Sequence, residues 1–485
     1  MWWSLAWFLG GIAASAVSIV VVRRWRQAYG RAWIAEELQK FFRVKDASPL
    51  EVRQRSFPLH MAPDANRGLS EWLQQQGVRS RVMGVAVTNT FMNELGIASL
   101  MAPRTSEDWH QPASVAYQSY DVGDEQPVEC PRHALWLIER GESKLALLWT
   151  SSTQHGGSGF STRLEFQAAF LKDSAEGKDG ALAEELLKHL EEAVSAGRSY
   201  RGRILSLEGD DDYRGNHAGI TVHRLRTVRR EDVILPAATI TLLERNVVRF
   251  VDQRPTLARL GMPTKKGLLF YGPPGTGKTH TIHYLIGALG GHTTLLITAE
   301  QIGNLAEYMT LARLLQPCLV VIEDADLIAR DRNHTSTCEQ SMLNRLLNEM
   351  DGLRSDAAIL FVLTTNRPEA LEAALAARPG RIDQAVEFPL PDARGRERLI
   401  QLYACGAEIA PEVVRDAVRL TEGVSASFVK ELMRRAIQFH LECRPDADRP
   451  AISRNDVDQA IDEMLWTGGL FNRSLLGAGE MPERE

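Results

Sequence analysis

The stretch that decides the fold is Gly-Pro-Pro-Gly-Thr-Gly-Lys-Thr at residues 272–279, directly after the apolar run Gly267-Leu-Leu-Phe-Tyr271. This order predicts a strand, a glycine-rich loop and a helix. Glycines allow backbone angles that side chains forbid, so successive N–H groups can close around phosphates at the helix N-terminus. Lys278 can reach the β- and γ-phosphates, and Thr279 can offer its hydroxyl to Mg²⁺. The sequence therefore predicts a nucleoside-triphosphate site.

Two further apolar segments end in polar residues that suit the same site. Cys318-Leu-Val-Val-Ile322 leads into Glu323-Asp324-Ala325-Asp326, and Ile359-Leu-Phe-Val-Leu363 leads into Thr364-Thr365-Asn366. Parallel strands would bring these ends to one sheet edge beside the loop, where carboxylates can hold Mg²⁺ and orient water. We expect the Asn366 side chain to contact the attacking water or the γ-phosphate.

A surface turn, Arg378-Pro379-Gly380-Arg381, supplies two guanidinium groups. Arginine stabilises charge on a transferring phosphoryl group, either within one chain or from a neighbouring one. The predicted catalytic residues are Lys278, Glu323, Asp324, Asn366, Arg378 and Arg381. The predicted nucleotide-binding residues are Gly272, Pro273, Pro274, Gly275, Thr276, Gly277, Lys278, Thr279 and His280, and the predicted metal ligands are Thr279, Glu323 and Asp324.

In this order the segments resemble the AAA ATPase family over roughly residues 226–466. The segments that carry the resemblance are 272–279 (Walker A), 322–326 (Walker B), 343–352 (the helix and turn that follow), 365–368 (sensor 1), 377–383 (second region of homology), 421–428 (sensor 2) and 451–461 (closing lid helix). The resemblance implies a P-loop α/β core with a parallel sheet, an α-helical lid, and ATP and Mg²⁺ as cofactors. It also implies a homo-oligomeric ring, expected to be a hexamer with a heptamer as the alternative. ATP would lie between subunits, and Arg378 and Arg381 would reach the neighbour's site.

The acidic pair departs from the usual family order. Walker B usually ends in Asp-Glu, whereas this chain has Glu323-Asp324. By position, Glu323 would serve the metal and Asp324 the water, with a side chain one methylene shorter than the usual base. We expect either a shifted strand end or slow turnover. The order is similar to that of the membrane-anchored Rieske-protein translocase branch, which also has an N-terminal membrane helix and a domain before the ATPase module.

The segment before Walker B also departs from the family's threading members. Ile302–Met309 lacks their aromatic-glycine pore loop, and we expect Tyr308 to pack within a helix rather than line a pore. This favours moving a folded client or remodelling a complex. The sequence contains no His-Glu-x-x-His motif, so no metalloprotease module is predicted.

The N-terminus suggests a membrane anchor. Trp2–Val22 is uncharged and apolar and would span about 30 Å as a helix, and Arg23, Arg24, Arg26 and Arg31 follow it. The positive-inside rule then predicts a single-pass protein of the inner (cytoplasmic) membrane, bound through residues 2–22, with its ATPase domain in the cytoplasm. A cleaved signal peptide is the alternative, since Ala14-Ser15-Ala16 resembles a cleavage site, but no basic region precedes the apolar core.

The length of 485 residues suits two to four domains, and five scattered cysteines indicate reduced thiols rather than a disulfide framework. Before the ATPase module, alternating apolar patterns predict an α+β domain. The predicted organisation is a transmembrane anchor (1–22), a juxtamembrane helix (23–49), an α+β N-terminal domain for client or partner binding (50–225), an ATPase core (226–390), a helical lid (391–470) and a tail (471–485).

Three functions follow from these features. The first is a membrane-anchored ATPase motor that remodels or translocates a protein client of unknown identity. The second is a nucleotide-gated membrane scaffold that hydrolyses ATP slowly and recruits partners through residues 50–225. The third is a DNA-acting clamp loader or helicase. The net charge of −6 and the absence of a basic aromatic patch count against it, so no nucleic-acid partner is expected.

Overall fold

The structure is a computed structural model that describes residues 34–86, 95–102, 110–156, 159–172, 177–207, 219–329, 339–369, 371, 381–444 and 449–467. The chain divides into two compact units. The first comprises Met1–Ser199 with Asp212–Gly219, and the second comprises Tyr200–Asp211 with Ile220–Glu485. The predicted anchor (residues 2–22), the tail (471–485) and Arg378 lie outside the described residues. Within the described ranges, no helix is both long enough and apolar enough to cross a bilayer.

The first unit is built on a six-stranded antiparallel sheet. Its strand order is β1-β8-β7-β6-β2-β3, and a separate hairpin pairs β4 with β5. The strands are β1 Leu50–Pro58, β2 Val78–Ala86, β3 Gln111–Ala113, β4 Ala116–Tyr120, β5 Val128–Arg132, β6 Ala134–Arg140, β7 Ser143–Gly156 and β8 Gly159–Leu171. β6 and β7 form a hairpin, with Gly141 at a positive φ of 64° in its turn.

Four α-helices among the described residues accompany this sheet. They are α1 Ile34–Phe42, α2 Ala62–Leu73, α3 Ile97–Leu100 and α4 Lys178–Ala196. In α1 the buried residues Ile34, Leu38 and Phe42 recur every four positions, so one helix face joins the core of the sheet. Helices α2 and α4 pack against each other. Antiparallel strands and separate helices together make this unit an α+β domain.

The second unit contains a seven-stranded sheet in the order β10-β9-β12-β13-β14-β11-β15. All neighbours are parallel except β9 and β10. The strands are β9 Ile204–Leu207, β10 Ile220–His223, β11 Lys266–Tyr271, β12 Thr293–Ile297, β13 Cys318–Ile322, β14 Ile359–Thr365 and β15 Gln384–Glu387. β13 and β14 are buried along their whole length, as expected for central parallel strands covered on both faces.

Helices surround this sheet and form the lid. The core helices are α5 Ala237–Asn246, α6 Val248–Arg259, α7 Lys278–Ala288, α8 Leu305–Leu314, α9 Ala325–Ala329 and α10 Glu339–Asp351. The lid helices are α11 Ala393–Tyr403, α12 Pro411–Leu420, α13 Ala426–Cys443 and α14 Arg454–Asp462, with a short two-stranded sheet of β16 Glu408–Ile409 and β17 Ala451–Ile452. Side chains of Asp392, Ser425 and Ser453 accept backbone N–H bonds that begin α11, α13 and α14.

The division between the units differs from the predicted domain boundary at residue 225. β9 pairs in parallel with β12, with Ile204 opposite Thr294 and Leu205 opposite Leu295. β10 then pairs with β9, so both strands extend the parallel sheet of the second unit. A four-residue strand carries no sequence signal for so distant a partner, because its pairing is fixed by packing rather than by local pattern.

Candidate functional site

The glycine-rich loop joins β11 to α7, as the sequence predicts. Gly272, Gly275 and Gly277 have φ values of 144°, 74° and 98°. A Cβ on Gly272 would lie 2.3 Å from the Phe388 carbonyl oxygen, and one on Gly275 would lie 2.0 Å from the Ser427 hydroxyl. Both glycines are therefore required by conformation and by close packing.

Lys278 links this loop to the end of β14. Its buried ammonium donates to the carbonyls of Gly272 at 2.8 Å and Pro273 at 3.0 Å, and to Asn366 Oδ1 at 2.7 Å. Burial lowers the pKa of Lys278, and the carboxylates of Asp324 and Asp326 act in the opposite direction. Three oxygen acceptors therefore hold the positive charge of Lys278 inside the site.

Asn366 continues this chain of contacts to Asp324. The Asn366 amide donates to Asp324 Oδ1 at 3.2 Å, while its own Oδ1 accepts from Lys278. Asp324 has a φ of 49°, and its N–H donates to Thr364 Oγ1 at 3.0 Å. Asp is among the few residues that tolerate this left-handed conformation. The chain therefore turns at Asp324, directly after a strand that ends at Ile322 as predicted. The expectation of a shifted strand end or slow turnover stays a prediction.

Thr279 and Glu323 form the second part of the acidic edge. The Thr279 hydroxyl donates to Glu323 Oε1 at 2.8 Å. Mg²⁺ prefers hard oxygen ligands and takes only a few from the protein alongside substrate phosphates. The two oxygens, together with the neighbouring Asp324 carboxylate, fit that ion as a donor set.

Asp326 is a supporting residue for which the sequence analysis assigned no role. It is 3% exposed, and its Oδ1 accepts from Thr365 Oγ1 at 2.9 Å and from the Asn366 N–H at 3.4 Å. These bonds fix the backbone that presents the Asn366 side chain. The sequence did contain a signal for this role, because Asp326 is a third acid just after a buried strand, two positions beyond Asp324.

The pocket around these groups has a volume of about 360 Å³ and is lined by both the core and the lid. This size is within the usual range for a small-molecule site. His280 Nε2 lies 3.2 Å from the Asp232 carbonyl oxygen at the pocket wall. The lid contributes Tyr403, Ser427 and Lys430, and the Ser427 N–H donates to the Gly275 carbonyl at 3.0 Å. The sequence analysis named neither Tyr403 nor Lys430, because lid packing brings them to the loop, whereas Ser427 lies in the segment 421–428 that resembles sensor 2.

Arg381 lies away from the pocket of its own chain. Its side chain is 7% exposed and ion-paired with Asp351 at the end of α10, and it donates to Asn348 Oδ1 at 3.3 Å. For the predicted contact with a neighbouring subunit, this pair would have to open. The assignments of Arg378 and Arg381 as arginine fingers therefore remain predictions.

Tyr308 packs inside the second unit, as the sequence analysis expected. It is fully buried, and its hydroxyl donates to the Leu296 carbonyl at 3.1 Å while accepting from the Leu207 N–H at 2.7 Å. Its hydroxyl thereby ties α8 to β9 and β12. In this chain the residue is a structural one rather than a pore-lining one.

A glycine loop before a helix, a buried lysine and acids at the carboxyl edge of a parallel sheet define a P-loop nucleotide-binding domain. Residues 268–390 match the family model for the ATPase family associated with various cellular activities (AAA). This match covers about a quarter of the chain, so residues 268–390 are similar to an AAA domain. Members of this family use ATP with Mg²⁺.

The chain is also similar to curated proteins with ATP-dependent or nucleotidase names. It is 30% identical over 236 residues to the ATP-dependent zinc metalloprotease FtsH 2 of Symbiobacterium thermophilum, covering 46% of this chain and 39% of that protein. It is 30% identical over 234 residues to the proteasome-activating nucleotidase of Methanoculleus marisnigri, covering 45% and 56%. The similarity thus spans less than two thirds of either relative. Among solved structures, the FIGL-1 AAA domain in complex with ADP aligns at 20% identity and a TM-score of 0.42, over 53% of this chain and 94% of that one.

Proposed function

We propose that this protein is a membrane-anchored AAA ATPase that couples ATP hydrolysis, in an oligomeric ring, to remodelling or translocation of protein clients. The observation that carries the proposal is the continuous set of contacts from Lys278 through Asn366 to Asp324, beside the Thr279–Glu323 pair. It joins the phosphate loop to both acids at one sheet edge. The match of residues 268–390 to the AAA family model supports ATP as the substrate.

Each residue of the site has a defined task in this proposal. The loop N–H groups and Lys278 bind the phosphates, and Thr279 and Glu323 would hold Mg²⁺, which neutralises charge on the β- and γ-phosphate oxygens when bound. Asp324 accepts a hydrogen bond from the attacking water and orients it. Asn366 contacts both Lys278 and Asp324, so it fixes the spacing between the phosphate-binding cation and the water-orienting carboxylate.

The ring, expected to be hexameric, would complete each site with Arg378 and Arg381 of the adjacent subunit. The in-chain pair between Arg381 and Asp351 makes this testable. If Arg381 is a finger, Arg381→Ala lowers turnover by about 10³-fold or more, while Asp351→Asn frees the arginine and retains turnover. If Arg381 only supports α10, both variants lose stability together. Turnover and melting temperature of the two variants distinguish these outcomes.

The membrane and client parts of the proposal rest on the sequence and on the relatives. Residues 2–22 have the length and polarity of an anchor, which would place the protein in the inner membrane with its ATPase domain in the cytoplasm. The relatives' names connect this domain with proteolysis and with activation of a proteasome. Since the 485 residues contain no His-Glu-x-x-His motif, we propose only the ATP-driven handling of clients, with the first unit as their binding domain.

A trapped complex tests this function. Asp324→Asn should bind ATP, fail to hydrolyse it and keep its client bound. The full chain is expressed in its own membrane, cross-linked and purified, and co-purifying proteins are identified. A recurrent protein that is missing with Lys278→Ala supports the motor. Recovery of the ring subunit alone, across the growth conditions in which the protein is made, contradicts it.

A nucleotide-gated scaffold is the second candidate, and the Glu323-Asp324 order favours it. Asp324 reaches the site only through a left-handed backbone, a conformation that ordinarily costs about 1–3 kcal/mol. A base placed in this way suits slow turnover, in which ATP binding rather than hydrolysis controls partner recruitment. Steady-state phosphate release by the purified full chain separates the candidates. A rate near 1 per second or above fits a motor, because typical enzyme turnover starts at about that value.

A further inference from the structure

We propose that the first unit carries a binding groove for the phosphate headgroup of an anionic lipid, formed where α1 meets the outer ends of β2 and β6. The inference rests on the membrane anchorage proposed above for its choice of ligand. The groove itself is defined by four cations: Lys40 on α1, Arg79 and Arg81 on β2, and Lys144 on β7.

The two carboxylates of the groove are already paired. Arg81 forms an ion pair with Glu37 at 3.0 Å, and Lys144 forms one with Glu139 at 3.4 Å. Lys144 also donates to the Phe41 carbonyl at 2.8 Å and lies 4.9 Å from the centre of the Phe41 ring. These contacts connect the elements that line the groove. Each of the two carboxylates neutralises one of the four cations, Arg81 or Lys144.

The remaining two cations give the groove its net positive charge. The side chains of Lys40 and Arg79 are exposed and line the groove, and neither makes an ion pair or hydrogen bond with another residue in the described part of the chain. A phosphate group complements such a pair, because a guanidinium can bind two of its oxygens at once and an ammonium supplies a point charge. A ligand with at least one phosphate charge is therefore the chemistry that the groove fits.

The position along the chain favours a lipid as the source of that phosphate. Residues 23–33 separate the proposed anchor from α1, and eleven residues span at most about 40 Å even when fully extended. Because the groove begins on the first helix after this connection, the anchor would keep it at a high effective concentration near the cytoplasmic leaflet. That leaflet's anionic lipids attract basic side chains close to its surface.

Native mass spectrometry of the full chain in an uncharged detergent tests the groove. Phosphatidylglycerol and phosphatidylcholine with identical acyl chains are titrated separately. We expect selective retention of phosphatidylglycerol, and an affinity about 25-fold lower for Lys40→Gln/Arg79→Gln, at about fivefold for each lost charge. The matched control is Lys188→Gln/Arg198→Gln, which removes two exposed charges elsewhere on the same unit and should change the affinity less than twofold.

Three results would overturn the inference. Equal phosphatidylglycerol binding by the two double variants would show that the groove does not hold the headgroup. Glycerol 1-phosphate binding as tightly as the lipid would identify a free phosphate ester as the ligand. Hexaglutamate binding more tightly than the lipid would identify an acidic segment of a protein. Alkaline carbonate extraction of membranes tests the anchorage separately, so its failure is distinguishable from failure of the groove.

Discussion

The first unit arranges its strands antiparallel, and the second arranges almost all of its strands parallel. In the first, β6 and β7 bury consecutive apolar side chains over residues 134–138 and 145–149, and the chain returns through tight turns such as that at Gly141. In the second, β13 and β14 are apolar throughout and then deliver Glu323, Asp324 and Asn366 to one edge beside the phosphate loop. Parallel strands that end together concentrate polar groups, whereas antiparallel strands distribute them to both edges.

The largest expected effect is the loss of ATP turnover when Lys278 in the second unit is replaced, with the first unit left unchanged. Lys278→Ala removes the ammonium that contacts Gly272, Pro273 and Asn366. We expect steady-state ATP turnover to fall by at least about 10²–10³-fold, the usual cost of losing a preorganised electrostatic contact. Near-ultraviolet circular dichroism of the first unit's tryptophans should be unchanged. Turnover above a tenth of the wild-type rate would contradict the assignment of Lys278.

The same substitution in each unit sharpens the comparison. Gly275→Ala adds a Cβ 2.0 Å from Ser427 Oγ at a φ of 74°, whereas Gly141→Ala meets no atom within 4 Å at a φ of 64°. Both substitutions should destabilise the folded protein by about 1–2 kcal/mol, because alanine disfavours the left-handed backbone. Only Gly275→Ala adds a steric clash, which costs a further ~1–3 kcal/mol. We expect Gly275→Ala to weaken ATP binding and Gly141→Ala to leave it unchanged, as measured by titration with a fluorescent nucleotide.

A second-site change checks the reason for this difference. Ser427→Gly removes the side chain that the new Cβ would meet, so Gly275→Ala/Ser427→Gly should bind ATP more tightly than Gly275→Ala alone. No recovery in the double variant would indicate that backbone conformation, rather than contact with the lid, decides the effect at Gly275.

The smallest effect concerns a buried carboxyl of the first unit. Asp64 is 2% exposed and accepts from the Ser199 N–H and hydroxyl, and burial raises its pKa. A raised folded-state pKa gives stability that is full below the unfolded value and is lost as pH rises through the folded value. Asp64→Asn should therefore melt about 2–4 °C above wild type at pH 8, with the difference shrinking toward pH 4.

Tryptophan fluorescence suits this measurement because Trp72, Trp136 and Trp149 all lie in the first unit, while Trp466 is the single tryptophan after residue 199. Glu142→Gln in the β6–β7 turn is the exposed control and should keep the wild-type pH profile. A melting difference that stays constant between pH 4 and pH 8 would show that ionisation of Asp64 is not its cause.

The sequence was sufficient for the features that local pattern encodes. The phosphate loop, the strands β11, β13 and β14, and the acids and amide at their ends all occur where spacing and polarity predict them. The helical lid occurs where the family resemblance implied it. These elements depend on residues that are close together in the chain.

Features that depend on long-range packing could not be predicted. The pairing of β9 with β12, the contact of Ser427 with Gly275 and the burial of Arg381 against Asp351 join distant segments. The left-handed backbone of Asp324 was not predicted, and the hydrogen bond to Thr364 that accompanies it comes from a different strand. Such contacts are decided by tertiary fit, on which local sequence gives no information.

The most direct test of the central claim compares ATP binding and ATP turnover in Asp324→Asn and wild type. In the proposed mechanism, Asp324 orients the water, and Glu323 with Thr279 holds the metal. We predict that ATP affinity stays within about threefold in Asp324→Asn while turnover falls by about 10²-fold or more, as for loss of a general base. Wild-type turnover in Asp324→Asn would contradict the account, because the carboxylate joined to Lys278 through Asn366 would then not serve hydrolysis.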